Sequence, residues 1–192
     1  MWEQILPGLR IKIFFTVVLG VAYPLLMTGV CQAVFPHQAN GSLVPRDGHV
    51  VGSELLAQGF TQPRYFHPRP SAAGNGYDPT ASGGSNFGPT NQKLYDRMKA
   101  DIAKFRAENP DFHGPIPSDL LTTSESGLDP DLSPASADAQ VARVAKARGI
   151  SEDQLRTVLA RCTKGPELGL LGEPRVNVLV LNLALDQQFP VK

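Results

Sequence analysis

Apolar positions dominate from Ile13 to Val34, 22 residues without a charge. At 1.5 Å of rise per residue that is roughly 33 Å of helix, enough to cross the ~30 Å hydrocarbon core of a bilayer. The interruptions, Thr16, Gly20, Tyr23, Pro24, Thr28, Gly29 and Gln32, are small or mildly polar and are tolerated in membrane helices. After this run the pattern becomes that of a water-facing protein. Ser42-Leu43-Val44 and His49-Val50-Val51 flank Pro45-Arg46-Asp47-Gly48, which predicts a hairpin within Gly41–Gly59. Ser53 to Gln58 reads as a short helix under a Ser cap, with Leu55 and Leu56 inward. The stretch from Thr61 to Thr90 is dominated by Gly, Pro, Ser and Asn, yet it carries Tyr65, Phe66, Tyr77 and Phe87. Aromatic side chains that seek burial argue for an ordered, irregular surface rather than a disordered linker.

Helical periodicity then takes over. Thr90 caps a helix to about Glu108, with Leu94, Met98, Ile102 and Phe105 on one side and Lys93, Arg97, Asp101 and Lys104 on the other. Asn109-Pro110 stops it. A second loop, Asp111 to Leu132, ends in Ser133-Pro134, a cap followed by proline at the first helical position. Ala137, Val141, Val144 and Ala145 give that helix its apolar stripe, and Gly149 its left-handed stop. Ser151-x-x-Gln154 is a capping box for a third helix burying Leu155, Val158, Leu159 and Cys162. Val176 to Leu185 is nearly all apolar and is read as a strand with a buried face; a helix capped by Asn177 is the alternative. The fold class expected is α+β: a single N-terminal transmembrane helix and one exported mixed α/β domain, with bounds 1–12, 13–35 and 36–192.

Charge adds an orientation. Arg10 and Lys12 immediately precede the apolar run, whereas the next Lys or Arg after it is Arg46. The positive-inside rule then keeps the short N-terminus in the cytoplasm and exports the rest. The run is longer than the h-region of a secretory signal, and its exit, Gln32-Ala33-Val34-Phe35-Pro36, has no Ala-x-Ala, so an uncleaved anchor is expected. Lys plus Arg and Asp plus Glu are 18 each, which argues against nucleic acid and against a polybasic lipid-binding patch. Cys31 falls in the apolar run and Cys162 in the exported part, so they are expected not to pair, and Cys162 is read as a core residue.

Candidate chemistry is thin. Asp129-Pro130-Asp131 offers two carboxylates, but Asp and Pro before a Ser-Pro helix start also suit a turn. Ser82-Gly83-Gly84-Ser85-Asn86 has the glycines of an anion nest without the lysine of a phosphate loop. His37, His49, His67 and His113 are not at metal-ligand spacing. The enzyme-class reading that survives is a membrane-anchored extracytoplasmic hydrolase using Ser, Asp and His from the loops.

Three stretches, in order and spacing, resemble the C subunits of the Kdp high-affinity potassium-transporting P-type ATPases, the KdpC family. They are Tyr65-Phe66-His67-Pro68-Arg69-Pro70-Ser71 with Tyr77-Asp78 and Ser82 to Asn91; Thr123 to Pro130 with Ser133-Pro134 and Gln140 to Ala145; and Gly172 to Leu179 with Leu181 to Asp186. Two positions depart from the family pattern, Glu125 for a small residue and Asp131 for a histidine. The resemblance implies a non-catalytic subunit of a bacterial inner-membrane complex, with its main domain in the periplasm. It would partner a potassium-translocating subunit and an ATP-hydrolysing subunit that handle potassium and ATP, and bind no cofactor firmly itself. It also implies a chaperone role that raises ATP affinity in the pump subunit. Ser124-Glu125-Ser126-Gly127 with Gln140 is similar to the signature motif of ABC transporters, making Ser126 and Gln140 the nucleotide candidates. Tyr65, Phe66 and Arg69 are the candidates for contact with the partner. No catalytic or metal residue is expected.

Overall fold

The computed structural model describes residues 2–46 and 48–190, and the chain falls into two compact units, Met1–Val44 and Pro45–Lys192. In the first, helix α1 (Trp2–Val17), a π-helical turn (Val18–Ala22) and helix α2 (Tyr23–Val34) follow without a break. Their 32 residues from Glu3 to Val34 are long and apolar enough to cross a membrane. The π turn has a local cause. Pro24 has no N–H to donate, and the Tyr23 N–H bonds five residues back to Val18 O. The Thr28 hydroxyl donates to Pro24 O at 2.8 Å, so this polar atom makes no demand on the surroundings. A short helix α3 (Pro36–Ala39) follows the break at Phe35.

The expected hairpin is present as β1 (Leu43–Arg46) and β2 (His49–Ser53), forming a two-stranded sheet; Asp47, in its turn, lies outside the described residues. Ser53 to Gln58 makes a turn rather than a helix. Ser53 Oγ accepts from Leu55 N at 3.1 Å, Leu55 is 58% exposed, and Ala57 is buried in its place. Ser and a following bend compete with helix formation when the segment has only six residues to offer.

The second unit is built on a small antiparallel sheet in the order β3 (Asp131–Leu132), β5 (Arg175–Asn177), β4 (Thr163–Lys164). Packed with it are α5 (Pro134–Asp138), α6 (Val141–Arg148), α7 (Glu152–Cys162) and α8 (Val178–Gln188). The core joins Leu132 and Val176 of the sheet to Ala137, Val141, Val144, Leu155, Val158, Leu181 and Leu185. The helix starts are those the sequence encodes: Ser133 Oγ accepts from Ser136 N, the Ser151/Gln154 capping box is complete, and Gly149 stands at φ 67°. Ser133→Ala should cost about 1 kcal/mol through the lost cap. Gly149→Val should cost more, because a β-branched side chain is poorly tolerated at positive φ. Chemical denaturation of both variants checks the two values.

Three further expectations need correction. The helix expected from Ser133 to Gly149 is two helices, separated at Ala139-Gln140, where Gln140 N closes a tight bond to Ala137 O. The C-terminal apolar run is a strand only to Asn177; from there Asn177 Oδ1 accepts from Val180 N and α8 begins. Leu and Ala favour a helix once a cap is present, and Val178, Leu179, Leu181 and Leu185 are buried around it. Helix α4 (Gln92–Glu108) is capped by Asn91 rather than Thr90, and only its Phe105 is buried. Arg97 and Asp101, expected in solvent, have side chains each only 24% exposed, and Ile102, expected inward, is 39% exposed. Asp101, Lys104, Phe105 and Glu108 of this helix line one cleft with the loop residues Phe60, Pro68 and Tyr77, so the face toward the loop is mixed rather than an apolar stripe.

Candidate functional site

The irregular stretch after Thr61 is ordered without a strand or helix of its own, so its backbone groups must be satisfied from elsewhere. Side chains of α6 and α8, and of the residue before α6, do this. Asn182 straddles Phe66, accepting from its N–H at 2.8 Å and donating to its carbonyl at 3.0 Å. Gln140 does the same for His67, at 2.9 and 3.1 Å. Two amides thus stand in for the neighbouring strand of a sheet. Arg143 adds donations to Pro63 O (2.7 Å) and Tyr65 O (2.9 Å), to Asn109 Oδ1 (2.9 Å) and to Gln140 Oε1 (2.6 Å). Arg148 donates to Arg64 O (2.7 Å), to Phe189 O (3.2 Å) and to Asp186 Oδ1 (2.9 Å). Carbonyls 63 to 67 are therefore all held by side chains from one side.

Burial pulls the Arg143 guanidinium down to about 10, still fully charged at neutral pH. Asp186 accepts from Arg148, Arg46 and Tyr65 Oη; these bonds outweigh its partial burial and hold its carboxyl below the usual range. The guanidiniums of Arg64 and Arg148 each lie 5.2 Å from the Tyr65 ring centroid. The strap continues to Arg69, whose Nη1 donates to Asp129 at 2.6 Å, and to Tyr77, whose hydroxyl donates to Arg69 O at 2.8 Å. Ser71 Oγ donates to Gly127 O and accepts from Ala73 N and Tyr77 N. The second loop is closed onto the first by Gly83 N to Ser126 O and Ser82 Oγ to Ser126 O.

These contacts sort the candidates. Phe66 is 0% exposed and belongs to the core, so its ring has no surface to offer a partner; the expectation of an anchor there is corrected. Tyr65 and Arg69 are partly buried on the strap, the Arg69 side chain 23% exposed. Gln140 is 1% exposed with both amide atoms engaged, so as a nucleotide contact it is corrected too: its polarity serves the strap. Ser126 is exposed, accepts from Leu128 N, and lines a depression with Ser82, Gly83, Ser124 and Glu125 that Gln140 does not share. Asp129 caps Asp131 N and pairs with Arg69, while Asp131 pairs with Arg175 at 3.3 Å; both acids are structural. Ser133, Ser136 and Asp119 form a hydrogen-bonded cluster that caps α5. Among the described residues no group of three or more His, Cys, Asp or Glu is placed to hold a metal ion. Burial raises the Cys162 thiol, as suits a residue packed against the core.

His67 has a consequence for pH. Its Nδ1 lies 3.3 Å from Glu108 and its Nε2 3.1 Å from Gln62 O, with Arg143 at 3.5 Å. Burial, followed by Arg143, lowers its pKa below the ordinary 6.5 despite Glu108. A base whose folded pKa is depressed binds protons more readily when unfolded, so stability is complete above about 6.5 and falls as pH drops below it. His67→Gln should flatten the melting temperature between pH 6.5 and 5, leaving the loss near pH 4 that Asp186 and Asp119 contribute. Thermal melts across that range decide it.

Of the strap's holders, only Gln140 was singled out by sequence, for another role. Asn182, the one polar residue from Val178 to Leu185, is the available signal for the rest. The family model of KdpC, K+-transporting ATPase c chain, matches residues 5–187. The chain is 54% identical over 192 residues to the potassium-transporting ATPase KdpC subunit of Koribacter versatilis, covering 100% of this chain and 98% of that one. It is 54% identical to the KdpC subunit of Myxococcus xanthus (98% and 90% covered) and 55% identical to that of Caulobacter vibrioides (99% and 96%).

Proposed function

The chain belongs to the KdpC family of potassium-transporting ATPase subunits, and from that premise we propose that it is a non-catalytic accessory subunit acting by contact. The family gives the other Kdp subunits as partners. The finer reading is that the folded domain lies on the exported side of the inner membrane and docks its strap, from Tyr65 to Asn91, on the potassium-translocating subunit. Potassium and ATP are then handled by the partners, and any gain in ATP affinity of the hydrolysing subunit comes through the assembly rather than from nucleotide held here. The observation that supports this most is the clamping of carbonyls 63 to 67 by Asn182, Gln140, Arg143 and Arg148. Polar groups that a catalytic or nucleotide site would spend on a substrate are spent on fixing a surface. A fixed surface suits recognition, because ordering costs are met before the partner arrives.

Arg69→Ala in the assembled complex is the test. The Arg69–Asp129 side chains are 23% and 30% exposed, so the variant should cost the fold more than the ~1 kcal/mol of a surface pair and less than the ~3–5 kcal/mol of a fully buried one. Urea unfolding of the variant checks that the domain stays folded. The variant should lose this subunit from the purified complex, and potassium-stimulated ATP hydrolysis with it. Normal assembly and normal hydrolysis would remove the strap as the docking element.

A further inference from the structure

Between β4 and β5 the chain makes a loop, Gly165 to Pro174, that displays Leu168, Leu170 and Leu171 at 89%, 87% and 62% exposure. They are the most exposed cluster of large apolar side chains described outside the apolar helix. The loop is built, not loose. Glu167 and Leu171 exchange backbone hydrogen bonds at 2.8 and 2.9 Å, and Gly169 N and Leu170 N close turns onto Pro166 O and Glu167 O. Arg175 Nη2 grips Glu167 at 2.6 Å across its base. Leu168 is held at φ 54°, a left-handed conformation that leucine rarely adopts. Strain persists where surrounding structure imposes it, and such positions cluster at binding and switch sites. Here the imposed shape turns a leucine outward.

We infer that this leucine knob seats in an apolar pocket on the exported surface of another subunit of the same membrane complex. The inference rests on the accessory-subunit reading above. Size argues for a tethered partner: three leucines fall well short of the ~800 Å² per side that a free-standing interface or second copy requires. A chain already anchored beside its partner meets it at high effective concentration, where a small contact suffices. Chemistry argues for protein rather than lipid. The loop and its flanks carry Lys164 and Arg175 against Glu167 and Glu173, a balance of charge, and no aromatic residue lies between them. Interfacial segments instead carry Trp, Tyr and excess Lys or Arg. A fluid bilayer also has no use for a fixed φ-positive leucine, whereas a shaped pocket does.

A photoreactive phenylalanine analogue at position 170, in the full chain within the assembled complex in native membranes, tests this directly. The expected result is a discrete adduct with another subunit. Leu168→Asn with Leu170→Ser and Leu171→Ser should leave the melting temperature nearly unchanged, since Leu168 and Leu170 bury almost nothing and Leu171 little. It should make this subunit dissociate from the detergent-purified complex roughly tenfold faster, the scale of losing an apolar anchor. Adducts with lipid alone, with a second copy, or with nothing would overturn the inference while the chain still co-purified with the complex. Failure of the wild-type chain to co-purify would instead defeat the accessory-subunit reading.

Discussion

Arg143→Met will unfold the domain at lower denaturant than a single change at any other residue that clamps the strap, at a cost of about 3–5 kcal/mol, the range for breaking a buried ionic hydrogen-bond network. The guanidinium serves four acceptors, Pro63 O, Tyr65 O, Asn109 Oδ1 and Gln140 Oε1, and the residue is 8% exposed. Methionine keeps the bulk and removes every donor. Two backbone carbonyls, Pro63 O and Tyr65 O, then lose part-buried bonds to a charged donor, at up to about 1–3 kcal/mol each. Gln140 and Asn109 lose a bond as well, and Gln140 is itself the clamp on His67. Equilibrium urea unfolding of the full chain in detergent gives the value. The corresponding change at exposed Arg156, which pairs with Asp138 and Glu152 on the surface, should stay within about 1 kcal/mol.

Gly127→Val is the second large effect, expected above about 3 kcal/mol. Gly127 stands at φ 67°, and a Cβ there would fall 2.7 Å from both Ala73 N and Gly83 O. Both are backbone atoms of the first loop, so relief requires the two loops to separate rather than a side chain to swing away. Opening them breaks Ser71 Oγ to Gly127 O and Gly83 N to Ser126 O. The strain of positive φ at a β-branched residue adds to the clash. Gly149→Val, where nothing lies within 4 Å of the added Cβ, isolates the conformational part. A larger loss at 127 than at 149 measures how tightly the loops close on each other.

Both changes act at places that periodicity does not reveal. Local signals were legible wherever one residue's chemistry decides: Ser133, Ser151 with Gln154 and Gly149 set helix limits that the structure reproduces. The apolar run set the candidate membrane helix, though the helix starts ten residues before Lys12 because charged residues need not end one. The C-terminal run is ambiguous because alternation in a largely buried segment does not separate strand from helix; the Asn177 cap is the better guide. On α4, a stripe at helical spacing is mostly half-exposed because the helix lies on loops. The strap's order was foreseeable from its aromatics, but its holders sit 73 to 121 residues away in sequence and left no pattern. Phe66 and Gln140 show the consequence. An aromatic and a polar residue in matching motifs were read as surface groups, whereas one fills the core and the other ties the loop to it.

Contact on the exported face, rather than chemistry or nucleotide binding inside the cell, requires that the folded domain be outside. Lys99→Cys places a thiol at an exposed position of α4, a residue that belongs neither to the strap's clamps nor to the leucine loop. With Cys31→Ala and Cys162→Ala, it would be the chain's single thiol. In cells carrying the whole complex, a membrane-impermeant maleimide should label it once the outer membrane is opened and the inner membrane is intact. Labelling that appears only after the inner membrane is breached would put the domain beside ATP and contradict docking from outside.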